Sequence, residues 1–163
     1  MAASSLQDLF NFEAHFESAA ITFVDAAIPS GYATVGTLSE ATLTTPRVEV
    51  ALQLGDAAGP PAPRNGGASP NNLDFREYGA IFQASVVTDN AVGQTSVDHA
   101  TTRADIRALL LYSGANWNNT TLPYYDLKWI RPMDQSYLTN DDFNVTEMAW
   151  ELKFEIRDDA WPS

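Results

Sequence analysis

The sequence contains no cysteine, and this absence removes a group of chemistries. Disulfide bonds, thiolate nucleophiles and Cys-ligated zinc or iron–sulfur sites all require that side chain. Basic residues are scarce as well, with 9 Lys and Arg against 21 Asp and Glu and a formal net charge of −12. Residues 1–46 contain no Lys or Arg, and the basic residues of the rest of the chain are scattered singly. Because nucleic-acid binding depends on a Lys/Arg patch that releases counterions from phosphates, we do not expect this protein to bind DNA or RNA tightly.

Long apolar runs are also missing, so no segment approaches the roughly 18 residues that a membrane span needs. The first ten residues lack the basic stretch and apolar core of a secretory signal. What the chain does have is 45% hydrophobic and 11% aromatic residues, which argues against a disordered acidic tail. A length of 163 residues predicts a single domain, 1–163.

Hydrophobic periodicity predicts two helices. Apolar residues recur at spacings of three and four from Leu6 to Ala27, which is typical of one amphipathic helix, and the sequence Pro29-Ser30-Gly31 ends it. A second helix is predicted to begin near Ser96 or Asp98, either of which can cap it. Between the first helix and the first strand, residues 32–45 are interpreted as irregular or weakly β.

Alternation with a period of two predicts the strands. It covers Arg47 to Leu54, Phe75 to Val87, Tyr125 to Arg131 and the strongly alternating last strand around Met148 to Arg157. Asp134, Asp141 and Asp142 are assigned to one loop between the last two. The predicted fold class is therefore α+β, a mostly antiparallel sheet with two helices packed on it and a long hairpin loop.

That hairpin loop, residues 55–74, reads GDAAGPPAPRNGGASPNNLD and has no apolar period. Loops of this length in compact domains are usually functional or disordered. One interpretation is a floppy hairpin tip. The other is an arm, carrying Arg64 and Asn65, that orders against a neighbouring subunit or ring.

The sequence contains few residues and no motif that indicate catalysis. His15 and His99 are interpreted as structural or solvated, because a general base needs an orienting partner and a cleft. The acidic segments around Asp141 and Asp158 lack the spacing of a calcium loop, and no phosphate-binding or nucleophile-elbow motif occurs. We therefore predict no enzyme, no catalytic residue, no metal and no cofactor.

The four tryptophans raise a different possibility. Trp150 and Trp129 are predicted to lie in the core, whereas Trp117 and Trp161, in a loop and the tail, are candidates for a sticky surface. On that interpretation, the protein is a small carbohydrate- or ligand-binding module.

The order of elements resembles the tail terminator (tail completion) proteins of tailed bacteriophages. The resemblance covers nearly the whole chain and rests on architecture, since the family lacks invariant catalytic residues. The segments that carry it are LQDLFNFEAHFESAA, PRVEVALQL with FREYGAIFQASVV, TTRADIRALLLYSG, and YYDLKWIRP with TEMAWELKFEI.

The resemblance implies a virion structural protein of the tail or neck, assembled in the host cytoplasm. Such a protein forms a homohexameric ring that caps the tail tube and joins it to the head–tail connector or neck proteins. DNA would pass through the lumen without specific binding. Related interpretations are a head-completion protein or a tail-tube protein, which share small size and ring assembly.

The polar face of the last strand is the candidate site on this view. Its residues are Glu147, Glu151, Lys153, Glu155 and Arg157. The acids are interpreted as a lumen lining that repels phosphates, whereas the two basic residues favour ion pairs between subunits. A simply solvated strand face is the third interpretation, because antiparallel sheets often have one wet side.

Overall fold

The described residues form one six-stranded sheet with helices on one face. The computed structural model describes residues 1–26, 33–36, 45–54, 77–89, 96–111, 117, 121–133, 135–139 and 142–162. In chain order its elements are α1 (Leu6–Leu9), α2 (Phe12–Asp25), β1 (Ala33–Gly36), β2 (Arg47–Leu54), β3 (Glu77–Asp89), α3 (Ser96–Leu111), β4 (Tyr125–Pro132), β5 (Ser136–Thr139), β6 (Phe143–Ile156) and a 3-10 turn (Asp158–Ala160).

The strands lie in the order β1-β2-β3-β6-β4, and β5 also pairs with β6. Only β1 and β2 run parallel among these pairs; the other pairs are antiparallel. Strand β6 is long enough to pair with β5 through Asn144–Glu147 and with β4 through Trp150–Ile156, on the same side. The predicted fold class, α+β with a mostly antiparallel sheet, is thus confirmed.

Alternation in β6 sets the position of the core. The apolar residues Met148, Trp150, Leu152, Phe154 and Ile156 are all almost completely buried. They face α2, where the ring of Phe16 lies 4.8 Å from that of Phe154 and 5.5 Å from that of Trp117, centroid to centroid. Helix α3 packs on the same face, since His99 bonds to the side chain of Thr146, two residues before Met148.

The first helix differs from its prediction, because it is divided into α1 and α2. The hydroxyl of Ser5 caps α1 by accepting from the backbone N–H of Asp8 at 3.1 Å. The phenol of Tyr125 donates to the carbonyl of Leu9 at 2.7 Å, and a continuous helix would have used that carbonyl internally. The predicted continuation to Ala27 falls outside the described residues.

Two short strands lie where the sequence predicted no regular strand; the first agrees with the weakly β alternative, and the second does not agree with its prediction. Residues 33–36 of the stretch interpreted as irregular or weakly β form β1, which pairs with β2 from Ala33 opposite Arg47 to Gly36 opposite Val50. The single loop predicted across Asp134 to Asp142 is wrong, because it contains β5. Each strand has only four residues, which is too few for a periodic signal in the sequence. Each forms because it pairs with a longer neighbouring strand. No helix in the described part of the chain is both long and apolar enough to span a membrane.

Candidate assembly surface

The face of the sheet opposite the helices carries the charged residues of β6. Alternation places Glu147, Glu151, Lys153 and Glu155 there, because successive side chains of a strand point to opposite faces. In register these residues lie between β3 on one side and β4 or β5 on the other. The structure therefore brings four of the five predicted residues to one surface.

The acids on this face are paired within the subunit. Arg131 of β4 donates from Nε to Glu151 Oε2 at 2.6 Å, and Lys128 of the same strand contacts Glu155. The hydroxyl of Ser136 donates to Glu147 at 2.8 Å. Glu151 and Glu155 are thus balanced by basic side chains of β4, whereas Glu147 keeps its charge and is only hydrogen-bonded; we call this set of contacts the charge ladder.

Arg157, the fifth predicted residue, lies beyond the end of β6 and does not join the ladder. Its side chain is only 13% exposed. It donates from Nε to Asp159 at 3.2 Å and also bonds to the carbonyl of Pro123. Arg157 therefore fixes the C-terminal segment against the start of β4. The predicted arm, residues 55–74 with Arg64 and Asn65, lies outside the described residues.

Large exposed apolar side chains are concentrated on the outer edge formed by β4 and β5. Tyr137 and Leu138 of β5 are 55% and 60% exposed. Trp129 of β4, Met133 in the link between the two strands, and Phe143 at the start of β6 are also exposed. The sequence did not single out this group, because β5 was assigned to a loop. The one available signal was the uncharged segment Ser136–Thr139 among acidic neighbours.

Two of the four tryptophan predictions are wrong. Trp129, predicted to lie in the core, is 40% exposed, because a β-bulge between Leu127 and Trp129 shifts the register of β4. Its indole packs under the guanidinium of Arg131, whose Cζ lies 5.2 Å from the ring centroid.

Trp117, predicted to be a sticky surface residue, is buried. It lies against the rings of Phe16, Phe23 and Phe82 at centroid distances of 5.5, 4.7 and 5.4 Å. Trp161 is half-buried and packs edge-on against Phe10. A loop or tail position therefore did not determine exposure. The prediction that Trp150 lies in the core is confirmed.

His99 lies inside the protein, between helix and sheet. Thr88 Oγ1 of β3 lies 3.0 Å from its Nδ1, and Thr146 Oγ1 of β6 lies 2.7 Å from its Nε2. Burial, together with the nearby charge of Arg103, holds the pKa of His99 below its ordinary value. A neutral imidazole that joins three elements is a structural group, which agrees with the structural interpretation of this residue.

His15 lies at the surface side of α2. Its Nε2 is 3.0 Å from the carbonyl of Asp8 and 3.3 Å from the Asp8 carboxylate. Backbone and hydroxyl donors of Ser4 are the main reason that the pKa of Asp8 is held below its usual range. His15 and Asp8 thus connect α1 to α2.

Of the acidic segments around Asp141 and Asp158, the structure describes the second in full, and its carboxylates make local contacts. Asp159 accepts from the N-terminal amine of Met1 at 2.8 Å, and this bond holds the pKa of Asp159 below its ordinary value. Among the residues with described positions, no group of three or more His, Asp or Glu side chains has the arrangement of a metal site. Asp134 and Asp141 fall outside those positions.

Comparisons with known proteins bear on the fold alone. No protein-family model matches the sequence, and no curated protein matches it. Several solved structures match, among them one with a TM-score of 0.52 and 18% sequence identity, covering 96% of this chain and 98% of that chain. The α+β architecture is thus shared across nearly the full length of both chains.

Proposed function

We propose that this protein is a tail terminator, a virion structural protein whose ring caps the tail tube and joins it to the head–tail connector. The observation that carries the proposal is the edge formed by β4 and β5. Five large apolar side chains are exposed along it or at its end. Tyr137 and Leu138 point to opposite faces of the sheet, so the edge as a whole is the apolar surface that suits protein–protein contact. The order of helices and strands that underlies the resemblance to this family supports the same proposal.

The proposed ring consists of six copies joined by identical contacts between two different surfaces of each copy. Such heterologous contacts close into a ring when the rotation from one copy to the next divides a full turn. One end of the ring binds the tube protein and stops its growth, and the other binds connector or neck proteins. The work is done by binding surfaces and requires no bond to be broken.

The charge of the chain suits a ring through which DNA passes. A net charge of −12 repels phosphates and prevents the counterion-driven binding that would hold DNA in the lumen. The basic partners of Glu151 and Glu155 weaken the interpretation that Glu147, Glu151 and Glu155 line a repulsive lumen. We assign the repulsion to the negative charge of the whole ring instead.

Mass photometry and negative-stain electron microscopy of the purified protein test this function. A terminator gives single rings of six chains with a central hole, alone or on the tip of a tail tube. Added to polymerising tube protein, it stops elongation. A protein that stacks into long tubes by itself is a tail-tube protein, and one that binds only the head connector is a head-completion protein; either result overturns the proposal.

The exposed indole of Trp129 supports a second candidate, a carbohydrate- or ligand-binding module. Arg131 covers one face of the indole, and the 40% exposure of Trp129 leaves aromatic surface on which a sugar could stack. A glycan array with wild type and Trp129→Ala decides this point. Binding that disappears in the variant supports the module, whereas ring formation without glycan binding supports the terminator.

A further inference from the structure

Strands β4 and β5 lie on the same side of β6 but differ in how their outer edges are built. Strand β4 carries Lys128, a β-bulge after Leu127, and Pro132 at its end. Lysine, bulges and proline are three of the features by which natural proteins prevent an edge strand from pairing with another chain, and short strand length is another. Strand β4 is therefore a protected edge.

Strand β5 has no lysine, bulge or proline, and its only such feature is its length of four residues. Its sequence is Ser-Tyr-Leu-Thr, without charge or proline, and all four residues are exposed. No bulge interrupts its pairing with β6 from Ser136 opposite Glu147 to Thr139 opposite Asn144. In the part of the chain that the structure describes, no strand lies on its outer side. The edge is thus suited to accept a further strand.

The opposite edge of the same sheet is β1, which also has four residues and no charged side chain. It pairs with β2 on one side, and no other described strand flanks it. Each subunit therefore has two different uncharged edges of equal length, one at each side of its sheet. Two different edges of one molecule can join copies head to tail.

We propose that the occupant of the β5 edge is the β1 edge of a second copy of this chain, so that neighbouring subunits share one continuous sheet. This inference rests on the proposed ring and specifies where its subunits meet. It moves the interface from the charged face of β6, whose acids already have partners within the subunit, to the edge beside it.

The strand directions agree with this joint. Strand β1 is parallel to β2, and three antiparallel steps through β3 and β6 make β5 run opposite to β1. If the ring axis runs along the strands, all copies point the same way. The β5 strand of one copy then meets the β1 strand of the next in antiparallel orientation, the pairing with more favourable hydrogen bonds.

Cysteine cross-linking tests the joint directly, because the natural chain contains no cysteine. Ser136→Cys and Leu138→Cys place thiols in β5, at positions that register with the charged face of the sheet. Ala33→Cys and Val35→Cys occupy the corresponding register in β1, opposite Arg47 and Glu49. A disulfide requires the two Cβ atoms to approach to about 3.5–4.5 Å. Opposite residues of neighbouring strands have Cβ atoms about 4.5–5.5 Å apart, and closer in non-hydrogen-bonded pairs, so opposite cysteines across the joint need only a small approach to form the bond.

We expect a disulfide-linked dimer when a β5 variant is mixed with a β1 variant under mild oxidation, and none from either variant alone. A chain carrying one cysteine in each strand should give a ladder of linked species that ends at the size of the ring. Dimers from a β5 variant alone would show a symmetric β5–β5 contact and overturn the inference. Rings that form normally while no combination cross-links would also overturn it and leave the ring itself standing.

A second measurement uses two exposed leucines as a matched pair. Leu138→Asp on β5 should abolish the ring in mass photometry, whereas Leu6→Asp on α1, with a similar exposed fraction of 55% against 60%, should leave it unchanged. Circular dichroism confirms that both variants are folded. Rings from Leu138→Asp contradict the inference, and wild-type protein that forms no ring, alone or on tubes, contradicts the proposed function instead.

Discussion

His99 is a buried imidazole held by two threonine hydroxyls from different strands. A hydroxyl can donate or accept, so both bonds are satisfied while the ring is neutral. Protonation would place a positive charge in a site that is buried and already close to Arg103. The site therefore stabilises the neutral form and makes the fold sensitive to acid.

The pH dependence of stability follows from this shift. The folded protein holds the pKa of His99 below the ordinary value of 6.5, so the unfolded chain binds the proton first as pH falls. The contribution of His99 to the free energy of unfolding is thus complete above about pH 6.5 and decreases below it. Urea unfolding at a series of pH values should show a smaller loss for His99→Gln than for wild type.

A control variant separates His99 from the other histidine. His15→Gln retains the buried site and should lose stability towards acid as wild type does. Equal pH profiles for wild type and His99→Gln would contradict the assignment, because carboxylates that titrate at lower pH are common to both proteins.

At the scale of elements, the strands with long alternating patterns were predictable and the short ones were not. Strand β6 alternates over 14 residues, and its buried face could be read directly from the sequence. Strands β1 and β5 form through pairing with β2 and β6, which the local sequence does not reveal. The exposure of Trp129 depends on a bulge in β4 and the burial of Trp117 on three phenylalanines from distant elements, and neither is a local property. The candidate site was therefore found only in part.

Phe16 is one of the residues that fix helix α2 to the sheet, and its ring is fully buried. It contacts Phe154, Tyr125 and Trp117, with centroid distances of 4.8 to 5.6 Å. Phe16→Ala leaves a cavity among these rings, and we expect a loss of about 3–5 kcal/mol in the free energy of unfolding, measured by urea denaturation. Phe10→Ala is the control, and its loss should be clearly smaller because that ring is 40% exposed.

The charge ladder on β6 should contribute little to stability. The Arg131 side chain is 66% exposed, and its partner Glu151 is 35% exposed. Exposed ion pairs typically contribute less than about 1 kcal/mol, since water and salt screen them. Arg131→Gln should therefore change the free energy of unfolding by less than about 1 kcal/mol. A larger loss would mean that the cation–π contact with Trp129 is a substantial part of the fold.

At the scale of the whole molecule, the N-terminal and C-terminal segments lie side by side and contact each other. The backbone N–H of Ala3 donates to the carbonyl of Ala160 at 2.8 Å, and Met1 pairs with Asp159. The ring of Phe10 packs against Trp161. The N- and C-terminal segments are thus one packed unit at the end of the sheet where β4 begins.

The proposed arm is tested at this scale by deletion of residues 58–71. Strands β2 and β3 remain in register from Arg47 opposite Val87 to Leu54 opposite Ala80, and a shorter connection reduces the entropy of loop closure. We therefore expect the shortened subunit to fold, with an unchanged circular dichroism spectrum, but to lose ring formation or tube capping. Normal rings that cap tubes would contradict the arm hypothesis.

The uneven burial of the tryptophans gives the protein a built-in optical reporter. Trp117 and Trp150 emit from an apolar interior, whereas Trp129 emits from a water-exposed position on β4 beside the β5 edge. The exposed apolar side chains continue from β5 along β4, so a partner copy that covers Trp129 as well as β5 should move the emission maximum to shorter wavelength as concentration rises. A contact confined to β5 should leave the emission unchanged, because Trp129 pairs with Lys153, six residues along β6 from the partner of Ser136. In Trp129→Phe the spectrum should stay constant, and assembly becomes measurable without any attached dye.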